Sequence, residues 1–187
     1  MPSLTNAPQD GGQRNPTSGL MFLQPDAIAL PVFTAVMAIA AYEDFRRLVI
    51  PNLLPALLCV AWPLHFAASP SLIGGSGAIG CALAVFLVGA VLHHFHYVGG
   101  GDVKLLTAAT LWAGAAGLPK LFMLTGILGG ALSLFLIMPF GAQLAAAGRA
   151  LLAPSAFAAE HDTSKSVPYG VAIAGAALIV VLSPHFG

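Results

Sequence analysis

An all-α fold, a polytopic membrane helix bundle of about six transmembrane helices, is predicted by three observations. Hydrophobic residues make up 58% of the 187-residue chain and charged residues 7%, against roughly 25% charge in soluble domains. The apolar residues fall into runs near the length a bilayer requires, roughly 20 residues per spanning helix. Short polar, Gly- or Pro-containing stretches separate the runs. So few charges cannot wet the surface of a particle this size, which excludes a soluble globular enzyme. Abundant apolar side chains exclude disorder of the main body. Seven basic and seven acidic residues cancel, leaving no electrostatic footprint for nucleic acid.

The elements follow in order. Residues 1–25 are polar and rich in Pro, Gly, Asn and Gln. They lack the basic start and prompt apolar core of a secretory signal and read as a disordered tail. Residues 26–187 read as the membrane-embedded domain. Its first span runs from Ala27 to about Tyr42, with Pro31 in the first turn, and ends at the polar stretch Glu43 to Arg47. Leu53 to Ala68 is a short second span. After the turn Ser69-Pro70-Ser71, Leu72 to about Leu92 is the third, with Gly74, Gly75, Gly77 and Gly80 offering a close-packing face. His93 to Lys104 is polar and glycine-rich. Leu105 to Gly117 is a short fourth span, with a turn at Leu118-Pro119-Lys120. Leu121 to Phe140 is the fifth, with Gly126, Gly129 and Gly130 as a second packing face. Residues 141–166 form the longest loop, whose Leu144 to Phe157 part suits a helix on the membrane surface. Pro168 to Phe186 is the sixth span. Cys59 and Cys81 show no CxxC spacing and read as two buried thiols.

Basic residues orient the bundle. Arg46, Arg47, Lys104, Arg149 and Lys165 fall on one side by parity, Arg14 and Lys120 on the other. The first set is therefore expected in the cytoplasm, with both termini outside.

Chemistry has few carriers, because the chain holds only five Asp and two Glu. Asp10 and Asp26 belong to the tail region, and Glu160 and Asp162 to the long loop. Glu43, Asp44 and Asp102 remain, at the edges of apolar helices, where ionisable groups are costly and are usually functional or paired. Two spans separate Asp44 from Asp102, so both emerge on the same face. For Asp44 the plain alternative is a carboxylate neutralised by Arg46 or Arg47. For Asp102 it is a helix N-cap after a flexible glycine turn. The run Gly99-Gly100-Gly101 disfavours regular helix and allows close approach or positive φ.

Asp44-Phe45-Arg46-Arg47-Leu48-Val49-Ile50-Pro51-Asn52 fits D-x-R-x-x-x-I-P-N, and Gly99-Gly100-Gly101-Asp102 fits G-x-G-D, 58 residues later by its aspartate. Together they resemble the type IV prepilin peptidase family of polytopic membrane aspartic proteases. Val167-Pro168-Tyr169-Gly170 is similar to that family's short Pro-Tyr-Gly segment. The resemblance covers about residues 27–186. It implies that Asp44 and Asp102 are the catalytic pair, with no metal and no cofactor. Hydrolysis without a Ser or Cys nucleophile needs one group to activate water and another to protonate the leaving amine. Two carboxylates sharing a proton supply both. Gly99, Gly100 and Gly101 would let a substrate strand lie against the site. Arg46 and Arg47 would hold the first loop at the headgroups or touch substrate. Ile50, Pro51 and Asn52 would end the loop and start the second span, and Pro168, Tyr169 and Gly170 would shape the site.

Long members of that family carry an N-terminal insertion with paired cysteines, associated with metal binding and methyl transfer. This chain has neither, and so resembles the short form attached to tight-adherence (Flp) pili, with peptidase activity alone. The implied partners are a prepilin or pseudopilin with a hydrophobic N-terminal helix, and the lipid bilayer, in a bacterial inner membrane with the site facing the cytoplasm. The residues carry no signal for an oligomeric state. A presenilin-like protease shares GxGD but lacks these flanking segments. A small membrane transporter or pilus-assembly protein, with ion-binding or structural aspartates, is the alternative of a different class.

Smaller features have ordinary explanations. His93, His94 and His96 form an H-H-x-H cluster; residues one or two apart do not face each other on a helix, and the cluster suits an interface or proton-buffering role better than zinc. Lys104 suits snorkelling to the headgroups or contact with a carboxylate. Glu43 is a secondary contact. Asn52 suits a helix end or a hydrogen bond within the site.

Overall fold

The computed structural model describes residues 25–68, 72–152 and 167–183. The expected N-terminal tail, the turn at 69–71, and the stretches 153–166 and 184–187 lie outside these residues. The described residues form six helices and no strand: α1 Pro25–Arg47, α2 Leu53–Ala68, α3 Leu72–His94, α4 Gly100–Ile137, α5 Pro139–Leu152 and α6 Tyr169–Leu182. Stretches within α1, α3 and α4 are long and apolar enough to cross a membrane, and α2 and α6 are shorter apolar helices. The protein is an all-α membrane bundle.

α1 does not stop at Tyr42. Glu43 to Arg47 continue it, because charged residues at a bilayer edge are good helix formers with water or headgroups beside them. The helix ends where Leu48 turns left-handed, at φ 55°. The Leu48 N–H still reaches the Asp44 carbonyl at 2.9 Å, an αL termination usually given to Gly. Asp44 therefore sits on a rigid helical turn rather than in a loop.

α4 is two helices in one. A straight helix of 38 residues would be about 57 Å long, almost twice the hydrocarbon thickness of about 30 Å. It breaks instead at Gly114, where φ is 65° and ψ −179°. The contacts on either side show a reversal. In the first arm, Gly101 lies against Ile50, while Ala115 beyond the break is level with Gly77 of α3. In the second arm, Gly117 meets Val180 near the end of α6, and Gly129 meets Tyr169 at its start. The arms are the expected fourth and fifth spans, but the turn lies at Gly114 rather than at Leu118-Pro119-Lys120. Pro119 is inside the second arm. That arm ends at Ile137, and Pro139 opens α5, five residues before the surface helix expected from Leu144. α5 packs Gly148 close to Phe45 at the end of α1.

The core joins α1, α2, both arms of α4, and α6. Phe33, Met37, Leu58, Leu105, Leu121, Ala174 and Ala177 are fully buried. Trp112 sits among them. Its ring packs on Phe33 at 4.7 Å and on His65 at 4.9 Å between centroids, and its Nε1–H donates to the Leu58 carbonyl at 2.9 Å. Buried indole N–H groups need such a partner.

The glycine faces are only partly used. Gly75 abuts the Phe66 ring, Gly77 faces Ala115 and Gly129 carries the Tyr169 ring, but Gly80, Gly126 and Gly130 face open space. Cys59 is exposed and Cys81 half-buried, both free, rather than buried as expected. On a lipid-facing helix an apolar thiol has no need of the interior.

Candidate active site

Three chain segments converge at one end of the bundle: the end of α1 with the turn into α2, the start of α4, and the start of α6. Asp44, on the last turn of α1, is 5% exposed. Its Oδ2 accepts a 3.2 Å hydrogen bond from the backbone N–H of Val171. Val171 is in the first turn of α6, where the helix presents its positive end; its N–H is shared with the Pro168 carbonyl, also at 3.2 Å. Gly170 makes this approach possible: a Cβ there would stand 2.8 Å from the Asp44 carboxylate and 2.7 Å from Ile50 Cδ1. Pro168 before it is fully buried. The Tyr169 ring lies on Gly129, and its hydroxyl pairs with Ser133 Oγ at 3.2 Å.

Asp102 is half-buried in the first turn of α4. The N-cap is Gly99, with extended backbone (φ −65°, ψ 138°), and the Val103 N–H bonds to its carbonyl at 3.1 Å. Asp102 is therefore not the cap considered from the sequence. Gly100 and Gly101 are helical, and Gly114 is the only glycine with positive φ among the described residues. The three glycines serve close approach, not unusual backbone. A Cβ on Gly99 would meet Asp102 Oδ2 at 2.9 Å, one on Gly100 the His93 ring at 3.1 Å, and one on Gly101 Ile50 Cβ at 3.1 Å. Asp44 and Asp102 stand at the same end of the bundle, since Ile50 lies against both Gly101, next to Asp102, and Gly170, which abuts the Asp44 carboxylate.

Ile50, expected with Pro51 and Asn52 only to end the first loop and start the second span, has a further part. It is 7% exposed and touches both Gly101, beside Asp102, and Gly170, beside Asp44. Nothing in an apolar side chain advertises such a position. Val171 was missed for a related reason, since it contributes only a backbone N–H.

The basic residues divide their tasks. Arg47 pairs with Glu43, four residues back, at 3.3 Å. Arg46 lies over the Tyr42 ring at 6.0 Å, and its Nε is buried without a hydrogen-bond partner. Lys104, expected to snorkel or to face a carboxylate, instead donates from Nζ to Asn52 Oδ1 at 2.8 Å. It does so because the turn after exposed Pro51 presents Asn52 beside the first turn of α4. The Asn52 carbonyl meanwhile accepts the Ala56 N–H at 3.3 Å. His93 meets the Val98 carbonyl through Nδ1 at 2.9 Å, and His94 packs edge-on against Phe95. Among the described residues no three His, Cys, Asp or Glu side chains converge to hold a metal.

Asp102 and Tyr169 also border an apolar cleft of about 550 Å³ between α3, both arms of α4, and α6, with Val85, Leu92, Phe122 and Ile173 among its walls. Asp102 thus stands beside a surface that accepts apolar groups.

Searches of curated proteins and of solved structures find no significant match to this chain. The model of the type IV leader peptidase family matches residues 31–134, a stretch holding Asp44, Asp102 and the whole of α2 and α3. That match covers more than half of the chain, and the chain belongs to the type IV leader peptidase family.

Proposed function

We propose that this protein is a membrane aspartic endopeptidase that removes the leader peptide from prepilin or pseudopilin precursors at the cytoplasmic face of a bacterial inner membrane. The observation that carries the reading is the meeting of Asp44 and Asp102 at one end of the bundle, from helices separated by α2 and α3. In the reaction one carboxylate takes a proton from water as its oxygen attacks the scissile carbonyl carbon. The other, protonated, donates to the carbonyl oxygen. Collapse of the tetrahedral adduct breaks the C–N bond as the proton taken from water passes to the leaving amine and a hydroxyl of the adduct returns its proton to the other carboxylate. The pair ends as it began, with one proton between two carboxyls.

Sidedness rests on the basic residues. Arg46, Arg47 and Lys104 share the end that holds both aspartates, while Lys120 follows the reversal at the far end, and basic residues favour the cytoplasm. A substrate cut there would have a polar leader in the cytoplasm and an apolar helix in the bilayer, the latter suited to the cleft beside Asp102. Cys59 and Cys81 form no CxxC pair, which favours a tight-adherence pilin as substrate and peptidase activity without methyl transfer. The test is co-expression with a candidate prepilin and mass measurement of the pilin's N-terminus. Loss of the leader mass, with no added methyl, is expected. A precursor that keeps its full mass, across prepilins of the same genome, would overturn the reading.

A further inference from the structure

We infer that Lys104 and Asn52 are positioning residues: their hydrogen bond fixes the rotation of the start of α4, and so sets where Asp102 stands relative to Asp44. The inference rests on the aspartic-peptidase reading above and adds to it the residues that hold the pair in register.

The first turn of α4 is held mostly by packing, with Val103 buried against Gly89 of α3, and has few directional hydrogen bonds to other elements. Its N-cap side chain is absent, because Gly99 fills that place, and no side-chain cap bond replaces it. Gly100 rests on the His93 ring and Gly101 on Ile50. These are van der Waals contacts, which limit approach without fixing a hydrogen-bond direction. The Lys104 Nζ to Asn52 Oδ1 bond at 2.8 Å is of another kind, a charge-assisted bond with a preferred direction. It joins α4 to the turn that leads directly back to Asp44.

Helix geometry gives the bond its leverage. Lys104 lies two residues after Asp102, which places the two side chains roughly 200° apart around the axis. They point to nearly opposite sides of the same turn. Rotation that carries Asp102 away from Asp44 therefore also displaces Lys104 from its place beside Asn52. The acceptor is equally well held. The Asn52 carbonyl opens α2 by accepting the Ala56 N–H, so the side-chain oxygen is available for Lys104 on a residue whose backbone is fixed. Pro51 just before it restricts the turn further. Small misplacements of catalytic groups lower rates by up to about 100-fold, so a bond remote from the reacting atoms can matter through geometry alone.

The experiment is a double-mutant cycle on the full-length chain in detergent, with a purified precursor as substrate. Lys104→Met and Asn52→Leu each break the bond from one end. Each is expected to lower kcat by about tenfold with KM unchanged, and the double variant is expected to be no worse than the worse single one. Asn52→Asp keeps an acceptor and is expected to retain most activity. Should Lys104→Met fail to accumulate, Asn52→Leu carries the same prediction. Multiplying losses, a rise in KM alone, or an Asn52→Asp variant as impaired as Asn52→Leu would overturn the inference.

A second readout does not depend on cleavage. In a background with Cys59→Ser and Cys81→Ser, thiols introduced by Asp44→Cys and Asp102→Cys are bridged with a short bifunctional thiol reagent. Adding Lys104→Met is expected to slow bridging by several-fold, on the order of the change in local geometry that the kinetics report. An unchanged bridging rate would overturn the positioning role. If the intact protein cleaves no precursor, the functional reading fails by itself, and the bridging rate still decides whether the bond sets the register.

Discussion

The carboxylate of Asp44 is bonded to the backbone N–H of Val171, 127 residues later in the chain, at 3.2 Å. This contact joins the last turn of α1 to the first turn of α6. It gives Asp44 a fixed orientation and an electrostatic environment set by the start of a helix. It also explains why a glycine precedes Val171, since no side chain fits between α6 and the carboxylate.

Gly170→Ala is therefore expected to displace Asp44. The new methyl would press on backbone-anchored atoms, the Asp44 carboxyl carbon and the Ile50 side chain, rather than on a flexible tip. Overpacking of this kind costs about 1–3 kcal/mol. The larger effect should fall on catalysis, with precursor cleavage reduced by about 100-fold while the protein still accumulates in the membrane. Quantitative immunoblots of precursor and mature pilin, normalised to enzyme level, measure both. Cleavage at the wild-type rate would show that the Asp44 position tolerates a shift of this size.

Asp44→Asn and Asp102→Asn should each abolish cleavage without unfolding the bundle. Asn keeps an oxygen to accept the Val171 N–H and nearly the shape of the carboxylate, so packing around α6 is retained. What is lost is the ability to take up or release a proton. The expected result is precursor of unchanged mass, with thermal denaturation in detergent close to that of the unmodified chain. Residual cleavage by either variant at more than about 1% of the normal rate would argue against direct acid–base roles, whose removal typically costs 100-fold or more.

The spans were legible because hydropathy reports which residues avoid water. Leu53–Ala68 emerges with the expected bounds. The boundaries that failed are those set by backbone conformation. Pro119 and Lys120 resemble a turn, yet the chain reverses at Gly114, inside the apolar stretch Leu111-Trp112-Ala113-Gly114-Ala115-Ala116, where no change of polarity marks it. Charges at Glu43 to Arg47 resemble the end of a helix, yet a helix can carry them past the bilayer edge. At the site, the acidic residues and glycine runs could be singled out by their chemistry. The contacts of Ile50, although the I-P-N pattern includes it, and the Val171 N–H could not, because a buried aliphatic contact and a backbone donor are defined only once distant segments are brought together.

Trp112 provides a test of the core apart from the site. Its indole spans α1, α2 and α4 through Phe33, His65 and the Leu58 carbonyl. Trp112→Phe keeps ring packing and removes one buried hydrogen bond, for an expected loss of about 1 kcal/mol. Trp112→Ala also opens a cavity and should lose about 3–5 kcal/mol. Denaturation in mixed micelles would rank the two. Equal effects would mean that the hydrogen bond, rather than the packing, dominates at this position.

Gly114 allows backbone strain to be separated from crowding. At φ 65° and ψ −179° it occupies a region that is essentially closed to residues with a Cβ, at about 1–3 kcal/mol of strain. Yet an added Cβ there meets nothing within 4 Å, so Gly114→Ala introduces strain without a clash. Gly126 faces equally open space but lies inside the second arm of α4 with no positive φ. Gly126→Ala should be neutral or stabilising by up to about 1 kcal/mol, the helix-propensity gain of Ala over Gly. The pair of variants is compared by thermal denaturation and by precursor cleavage. The reversal at Gly114 sets the angle between the arms that carry Asp102 and the Tyr169 platform, so Gly114→Ala should lower both stability and cleavage while Gly126→Ala lowers neither. Matching behaviour of the two variants would mean that the reversal can be made by a residue with a side chain, and that the two arms of α4 are held in place by packing against α3 and α6 alone.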